Sequence, residues 1–278
     1  MTSTPDSGSH KPLGGWRVVV TRPRSQSSDL DRLLSELGAT VILFPTIEIT
    51  DPPSFDALDA ALRALAAGDY EWTVFLSVNS VRQVRARLEA KSLEPAVISR
   101  SRVAAVGSAT TDALVAGGVQ PDLVPDTSSA AGVASALGSG TGRVLVPRAA
   151  DAPAEATDAM RAQGWQVDEV VAYRTVAATA SEGLDTVRRR EFDVVTFSSG
   201  STLRGFSASI SPAQTGLSPE DPDAARVVCI GPTTAKVAVE LGFRVDAVAA
   251  EQSAEGLVKA VLGLREVAGS AGRPGMAP

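Results

Sequence analysis

The chain repeats itself. Arg17-Val-Val-Val-Thr-Arg-Pro23, Trp72-Thr-Val-Phe-Leu-Ser-Val-Asn-Ser80 and Val103-Ala-Ala-Val-Gly-Ser-Ala-Thr-Thr111 are answered in order by Arg143-Val-Leu-Val-Pro-Arg148, Val194-Val-Thr-Phe-Ser-Ser-Gly-Ser201 and Val227-Val-Cys-Ile-Gly-Pro-Thr-Thr234. Val18 to Val144 is 126 residues, Phe75 to Phe197 is 122 and Gly107 to Gly231 is 124. Three ordered matches at nearly one spacing mean a duplicated unit, so whatever forms in one half must form again in the other.

Within each copy, short β-branched runs alternate with helical periodicity, the pattern of a parallel sheet covered by helices. After Val18–Val20, Ser27 and Ser28 are candidate caps for a helix whose Leu30, Leu33, Leu34 and Leu37 share a face, and Gly38 ends it. Ala154–Gln163, closed by Gly164, is its counterpart. Val41–Ile49 reads as one strand with Pro45 inside it, matched by Val167–Thr175. A proline there argues for an edge or a crossing between domains. Further helices are expected over Phe55–Ala67, capped by Ser54, and Glu182–Arg190, capped by Ser181, and then after Asn79 and Ser201. Helices are also expected at Thr111–Ala116, Ala235–Leu241 and Ala254–Leu264, with short strands near Val119–Val124 and Phe243–Val248. Phe206–Ala225, rich in Ser, Pro and Asp, reads as an insertion or mobile loop, and residues 1–14 and 265–278 as disordered tails.

Several chemistries are excluded by what is missing. The 278 residues contain one histidine, His10, and one cysteine, Cys229. That leaves no Ser-His-Asp triad, Cys-His pair, disulfide framework or His/Cys metal centre. Cys229 lies between Val228 and Ile230 and reads as a buried strand thiol. Thr-, Ser- and Gly-rich strand ends offer no clustered carboxylates for magnesium. Gly138-Ser-Gly-Thr-Gly142 precedes a strand rather than following one, and is no dinucleotide fingerprint. No stretch approaches the ~18 apolar residues of a membrane span, no signal-peptide core is present, and a cytoplasmic location is expected. The net charge of -6 argues against nucleic acid as a partner.

In open parallel sheets ligands bind beyond the carboxyl ends of the strands, where loops enter helices. Here those ends carry Thr21, Arg22, Ser77, Asn79, Gly107, Thr110, Arg148, Ser198, Ser199, Gly231, Thr233 and Thr234. Small hydroxyls and glycines at helix starts expose backbone N–H groups that attract carboxylate or phosphate. The same residue types are also ordinary helix caps, and glycines ordinary turn residues, so each position alone has a structural reading. The twofold occurrence of the whole set is what points to a polyanion site.

These residues resemble a known family, the uroporphyrinogen-III synthases (HemD) of tetrapyrrole biosynthesis, from about Gly15 to Leu264. The resemblance is carried by Val20-Thr-Arg-Pro23, Pro45-x-Ile47-x-Ile49, Phe75-x-Ser77-x-Asn79-Ser-Val81, Val106-Gly-x-x-Thr110, Val171-x-Tyr173-x-Thr175, Phe197-Ser-Ser199 and Ile230-Gly-Pro-Thr-Thr234-Ala. It implies two flavodoxin-like, HemD-type α/β domains joined by a two-stranded linker, with the active site in the cleft between them. Residues 15–44 with 176–264 would form one domain and 51–168 the other, with 45–50 and 169–175 as linker strands.

The family reaction closes hydroxymethylbilane to uroporphyrinogen III with loss of water and inversion of the D ring, and uses no cofactor or metal. Tyr173 corresponds to a cleft tyrosine whose phenol could assist departure of the substrate hydroxyl; the other reading is a linker tyrosine packed between domains. The hydroxyl-bearing strand ends would orient the substrate carboxylates, with Arg22 and Arg148 as charge partners. A monomer with transient contact to hydroxymethylbilane synthase is expected. Two readings compete with this one. One is a catalytically silent relative that senses a tetrapyrrole or other polyanion. The other is an unrelated sugar- or nucleotide-binding protein with two Rossmann-like lobes, which the 4% aromatic content disfavours.

Overall fold

Short valine-rich runs bounded by glycine, serine or proline form strands, and the leucine- and alanine-rich stretches between them form helices. The computed structural model describes residues 11–179, 183–219 and 225–270. In order they form β1 (Arg17–Val20), α1 (Ser28–Glu36), β2 (Thr40–Leu43), β3 (Ile47–Thr50), α2 (Asp56–Ala67), β4 (Trp72–Phe75) and α3 (Val78–Ala90). Next come β5 (Arg102–Ala105), α4 (Ser108–Val115), α5 (Ala130–Leu137), β6 (Arg143–Ala149), α6 (Glu155–Ala162) and β7 (Gln166–Ala177). The chain continues through α7 (Leu184–Arg188), β8 (Val194–Phe197), α8 (Gly200–Ser209), α9 (Pro212–Thr215), β9 (Arg226–Cys229), α10 (Pro232–Glu240), β10 (Ala247–Val248) and α11 (Ala254–Ser270).

Two compact units result. One joins the chain up to Glu48 to the chain from Ala177 onward, and the other is Ile49–Val176. The first holds a five-stranded sheet in the order β10-β9-β8-β1-β2, the second one in the order β3-β7-β6-β4-β5. Numbered along its own unit, the first order is 2-1-3-4-5, that of flavodoxin-like sheets.

The duplication extends to individual strand partners. Val18 pairs with Val194 and with Val41. Their repeat equivalents pair likewise, Val144 with Trp72 and with Val167. Val194 opposite Arg226 is matched by Trp72 opposite Arg102. Ala247 opposite Val228 is matched by the bridge between Leu123 and Ala104. Both sheets therefore have the same parallel order, entered at different points along the chain, and β3 is an extra strand beside β7.

Each sheet is buried on both faces, as parallel sheets require. In the first unit Val18 and Val20 pack with Leu30, Leu34 and Leu257 on one side, while Val19, Val195 and Phe197 pack with Leu203 and Phe206 on the other. In the second, Val74, Val144 and Val146 face Val133 and Met160, and Phe75, Val103 and Leu145 face Leu58, Leu62 and Val84.

The structure corrects several expectations. Val41–Ile49 is not one strand: β2 belongs to the first sheet and β3 to the second, with residues 44–46 joining them. Phe44 makes the last regular bond, donating to the Val20 carbonyl at 2.9 Å. Residues 169–173, expected in a linker, pair with β6 as part of the twelve-residue β7. Val119–Val124 contributes only the bridge at Leu123. Ser27 stands at the start of α1, but its hydroxyl turns back to the Arg24 carbonyl and caps nothing. Ser54 does accept from an early helical N–H, that of Asp56, at 3.0 Å. The supposed loop after Phe206 continues as helix to Ser209 and then places Ile210, Thr215 and Leu217 in the interior. Leu13 is fully buried, and Arg265 lies over the Trp16 ring and donates to the Gly14 carbonyl, so neither 11–14 nor 265–270 is a loose tail. α5 was not expected. Ser181 and Glu182 lie outside the described residues, as does His10.

Candidate active site

In a 2-1-3-4-5 sheet the crevice opens at the switch point between the first and third strands. That point falls between β1 and β8 in one unit and between β6 and β4 in the other. The residues expected to bind ligand stand at the carboxyl ends of these strands and of the neighbouring β5 and β9, in each unit separately.

In the second unit β4 ends at Phe75 and Ser77 caps α3, its Oγ accepting from the Ser80 N–H at 3.1 Å. The same Oγ lies 2.9 Å from Ser80 Oγ and 3.0 Å from the Tyr173 hydroxyl. Asn79 also bonds the phenol. Tyr173 arrives there because of a bulge. Arg148 is opposite Val171 but Ala149 is opposite Tyr173, so Ala172 is the extra residue. The strict alternation of β7 breaks at that point, and Val170, Ala172 and Tyr173 all enter one core. The bulge therefore aims Tyr173 inward, a common use of bulges near functional sites. Burial raises the pKa of the phenol, and the bonds from Ser77, Ser80 and Asn79 partly oppose it, while Asp151 adds to the rise. The group is consequently a neutral hydrogen-bond donor at ordinary pH.

Other predicted residues of this unit stand nearby in the fold but in different states. Thr110 is buried in the first turn of α4. Arg148 is largely buried and ion-paired with Glu169, which also holds Arg161 at 2.5 Å. The charge expected for a substrate carboxylate is thus already compensated within the unit.

In the first unit Thr21 is fully buried, and its hydroxyl donates to the Thr196 carbonyl at 2.7 Å. Thr196 returns a bond to the Val19 carbonyl at 3.1 Å, so the pair braces β1 against β8 at the switch point. Arg22 and Ser198 follow their strands half-buried. Ser199 caps α8 reciprocally with Thr202: its Oγ accepts from the Thr202 N–H at 3.1 Å, and Thr202 Oγ1 accepts from the Ser199 N–H at 3.2 Å. Gly231 starts α10, with Thr233 exposed and Thr234 buried in its first turn.

One further pair of loops belongs with these residues. Gly107 and Gly231 are extended (φ 175° and -174°), so dihedral freedom does not explain them. Contact does: a methyl group on Gly107 would lie 2.8 Å from Ser128 Oγ, and one on Gly231 would lie 3.1 Å from Cγ, Cδ and Nε2 of Gln252. Ser128 and Gln252 are 124 residues apart, as are Ser129 and Ser253, and Gly132 and Gly256. Ser129 Oγ accepts from the Gly132 N–H, and Ser253 Oγ from the Gly256 N–H, each at 3.0 Å. The repeat spacing extended beyond Gly107 would have revealed both loops. The bulge at Ala172 has no such signature.

The fold and site define an internally duplicated α/β protein whose two flavodoxin-like sheets each end in a cluster of hydroxyls, glycines and helix N-termini. A family model described as uroporphyrinogen-III synthase HemD matches residues 28–259. The chain is 31% identical over 257 residues to a uroporphyrinogen-III synthase of Synechococcus elongatus, covering 90% of this chain and 96% of that one. It is 29% identical over 240 residues to a porphyrin biosynthesis protein HemD of Ruminiclostridium josui, of which it spans about half, 46%. Among solved structures it shares its fold with a mutant uroporphyrinogen III synthase of the extreme thermophile Thermus thermophilus (TM-score 0.67, 19% identity, 92% of this chain and 99% of that one). A Helicobacter pylori uroporphyrinogen-III synthetase is also similar (TM-score 0.56, 15% identity, 90% and 99%). The chain belongs to the uroporphyrinogen-III synthase family.

Proposed function

We propose that this protein closes hydroxymethylbilane to uroporphyrinogen III, acting as a lyase without cofactor or metal. The observation that carries this reading is the nearly end-to-end match to the Synechococcus enzyme. In the reaction the C–O bond of the terminal hydroxymethyl group breaks, and the oxygen leaves as water after taking up a proton. The azafulvene that remains is attacked by the substituted D-ring carbon to give a spiro intermediate. Fragmentation and reclosure at the free α-carbon then invert that ring, and loss of the proton there restores the pyrrole. The pyrrole nitrogens supply the electrons, so the protein's task is to fold the chain, hold its carboxylates and disfavour uninverted closure.

Neutral donors suit that task. The Tyr173 phenol, kept protonated by burial and oriented by Ser77, Ser80 and Asn79, donates a hydrogen bond to the departing oxygen. Backbone N–H groups at the starts of α3, α4, α8 and α10 receive carboxylates.

The test is a coupled assay. Hydroxymethylbilane is generated in place by its synthase, this protein is added, and the oxidised products are separated into type I and type III isomers. Type III above the protein-free control is the expected result. Type I alone, from folded protein, would overturn the reading in favour of a catalytically silent tetrapyrrole-binding relative.

A further inference from the structure

We infer that Asp151 is a catalytic residue of the second unit, whose carboxylate stabilises the positive charge left on the substrate when the hydroxymethyl oxygen departs; this rests on the synthase reading above. The bulge that aims Tyr173 also fixes the turn that carries Asp151. β6 ends at Ala149, which is opposite Tyr173. The Ala150 N–H donates to the Tyr173 carbonyl at 3.0 Å, and the Ala152 N–H closes the turn on the Ala149 carbonyl at 3.2 Å. Ala149 and Ala152 both pack into the core that holds Tyr173, which leaves Asp151 exposed at the tip between them. Its charge reaches the phenol and favours the protonated form. Among the described residues Asp151 forms no ion pair, and Arg148, three residues before it, is already held by Glu169.

An uncompensated carboxylate is unfavourable for binding a polyanion, because it repels the substrate's own carboxylates. The reaction gives it a use. When the C–O bond breaks, its electron pair leaves with the oxygen, which takes up a proton and departs as water. The pyrrole nitrogen's lone pair enters the new exocyclic double-bond system, so the nitrogen, still carrying its hydrogen, becomes positive. A carboxylate beside Tyr173 accepts a hydrogen bond from that N–H and balances its charge. Attack by the D-ring carbon moves the charge to the D ring, and the proton finally lost from the α-carbon to solvent equals the one taken up. In the free protein the exposed Asp151 is screened by water; bound substrate excludes that water, and the attraction strengthens as the charge develops. Asp151 thus opposes the ground state and favours the transition state, the differential that raises kcat. The phenol and the carboxylate divide the work: a neutral donor faces the departing oxygen and an anion faces the cation it leaves.

The experiment compares wild type with Asp151→Asn and Asp151→Glu. It reads the single-turnover rate of type III formation, the Kd for uroporphyrin III, the oxidised product, by fluorescence titration, and the melting midpoint. Asp151→Asn is expected to lower the rate roughly 10²-fold while leaving the Kd unchanged or tightening it, since a repelling charge is gone, with added salt narrowing any gap. Asp151→Glu, which restores the charge, is expected to be faster than Asp151→Asn, and neither variant to melt earlier than wild type. An unchanged rate in Asp151→Asn would overturn the inference. So would a slow Asp151→Asn that binds more weakly and melts earlier, the mark of a merely structural role, or an Asp151→Glu no faster than Asp151→Asn. Wild type that releases only the type I isomer would instead overturn the synthase reading, and this inference with it.

Discussion

Tyr173 shows how a single residue can be legible in the sequence while its placement is not. The family motif singles it out, but alternation along β7 would put it on the opposite face from Ala172; only the extra residue at the bulge brings both into one core. Its removal as Tyr173→Phe keeps the ring and leaves Ser77 bonded to Ser80. We expect roughly a 10²-fold fall in kcat with little change in melting midpoint, read from single-turnover kinetics and a thermal melt. The phenol's pKa is raised above its ordinary value of 10.0, chiefly by burial. Its protonated form is therefore favoured in the folded protein. The associated stability is present in full below that value and is lost as pH rises through the folded pKa. An alkaline decline in activity present in wild type and missing from Tyr173→Phe would bear this out. Cys229 is legible without help, since it lies within a hydrophobic run. It is fully buried in β9, and burial pushes its thiol up to about 12.

Among the elements, strands announce themselves by valine runs and helices by leucine spacing, which is why most of both can be read directly. The failures share a cause: contacts remote in sequence decide them. Leu217 and Leu13 look like loop and tail residues until the core that buries them is known. Gly132 and Gly256 could pass for helix-weakening residues, yet each sits against the carbonyl of its own preceding turn. Gly132→Ala or Gly256→Ala should destabilise the protein by about 1–3 kcal/mol through that collision, measurable by urea unfolding. α2 and α3 are joined by Asp59, which accepts from Arg87 at 2.5 and 2.7 Å and from Lys91 at 2.7 Å. The Arg87 bond, with help from Lys91 and against the effect of burial, holds the Asp59 carboxyl well below its ordinary 3.8. Its contribution is therefore present above that value and is lost as pH falls toward the folded pKa. Asp59→Asn should melt earlier at neutral pH, and the gap to wild type should narrow on acidification below pH 3.8.

For the molecule as a whole, the repeat predicts two similar sheets, and the strand pairings match partner for partner. Sequence comparison of the halves does not reveal that the copies are entered at different points, because a permuted copy has the same motifs at the same spacing. Both core layers of the second unit, with all their buried members, fall within residues 49–176. A fragment covering 46–177 is expected to fold cooperatively by itself, and a broad, non-cooperative melt would contradict this.

The first unit is assembled from chain segments made far apart in time. β1 lies between β2 and β8, and β8 is synthesised only after the whole of the second unit. At about 5–20 residues per second, the opening strand of this protein waits on the ribosome for many seconds with one edge unpaired. The unit that comes second along the chain is thus able to fold first, and β1 keeps one edge open to stray pairing until β8 emerges.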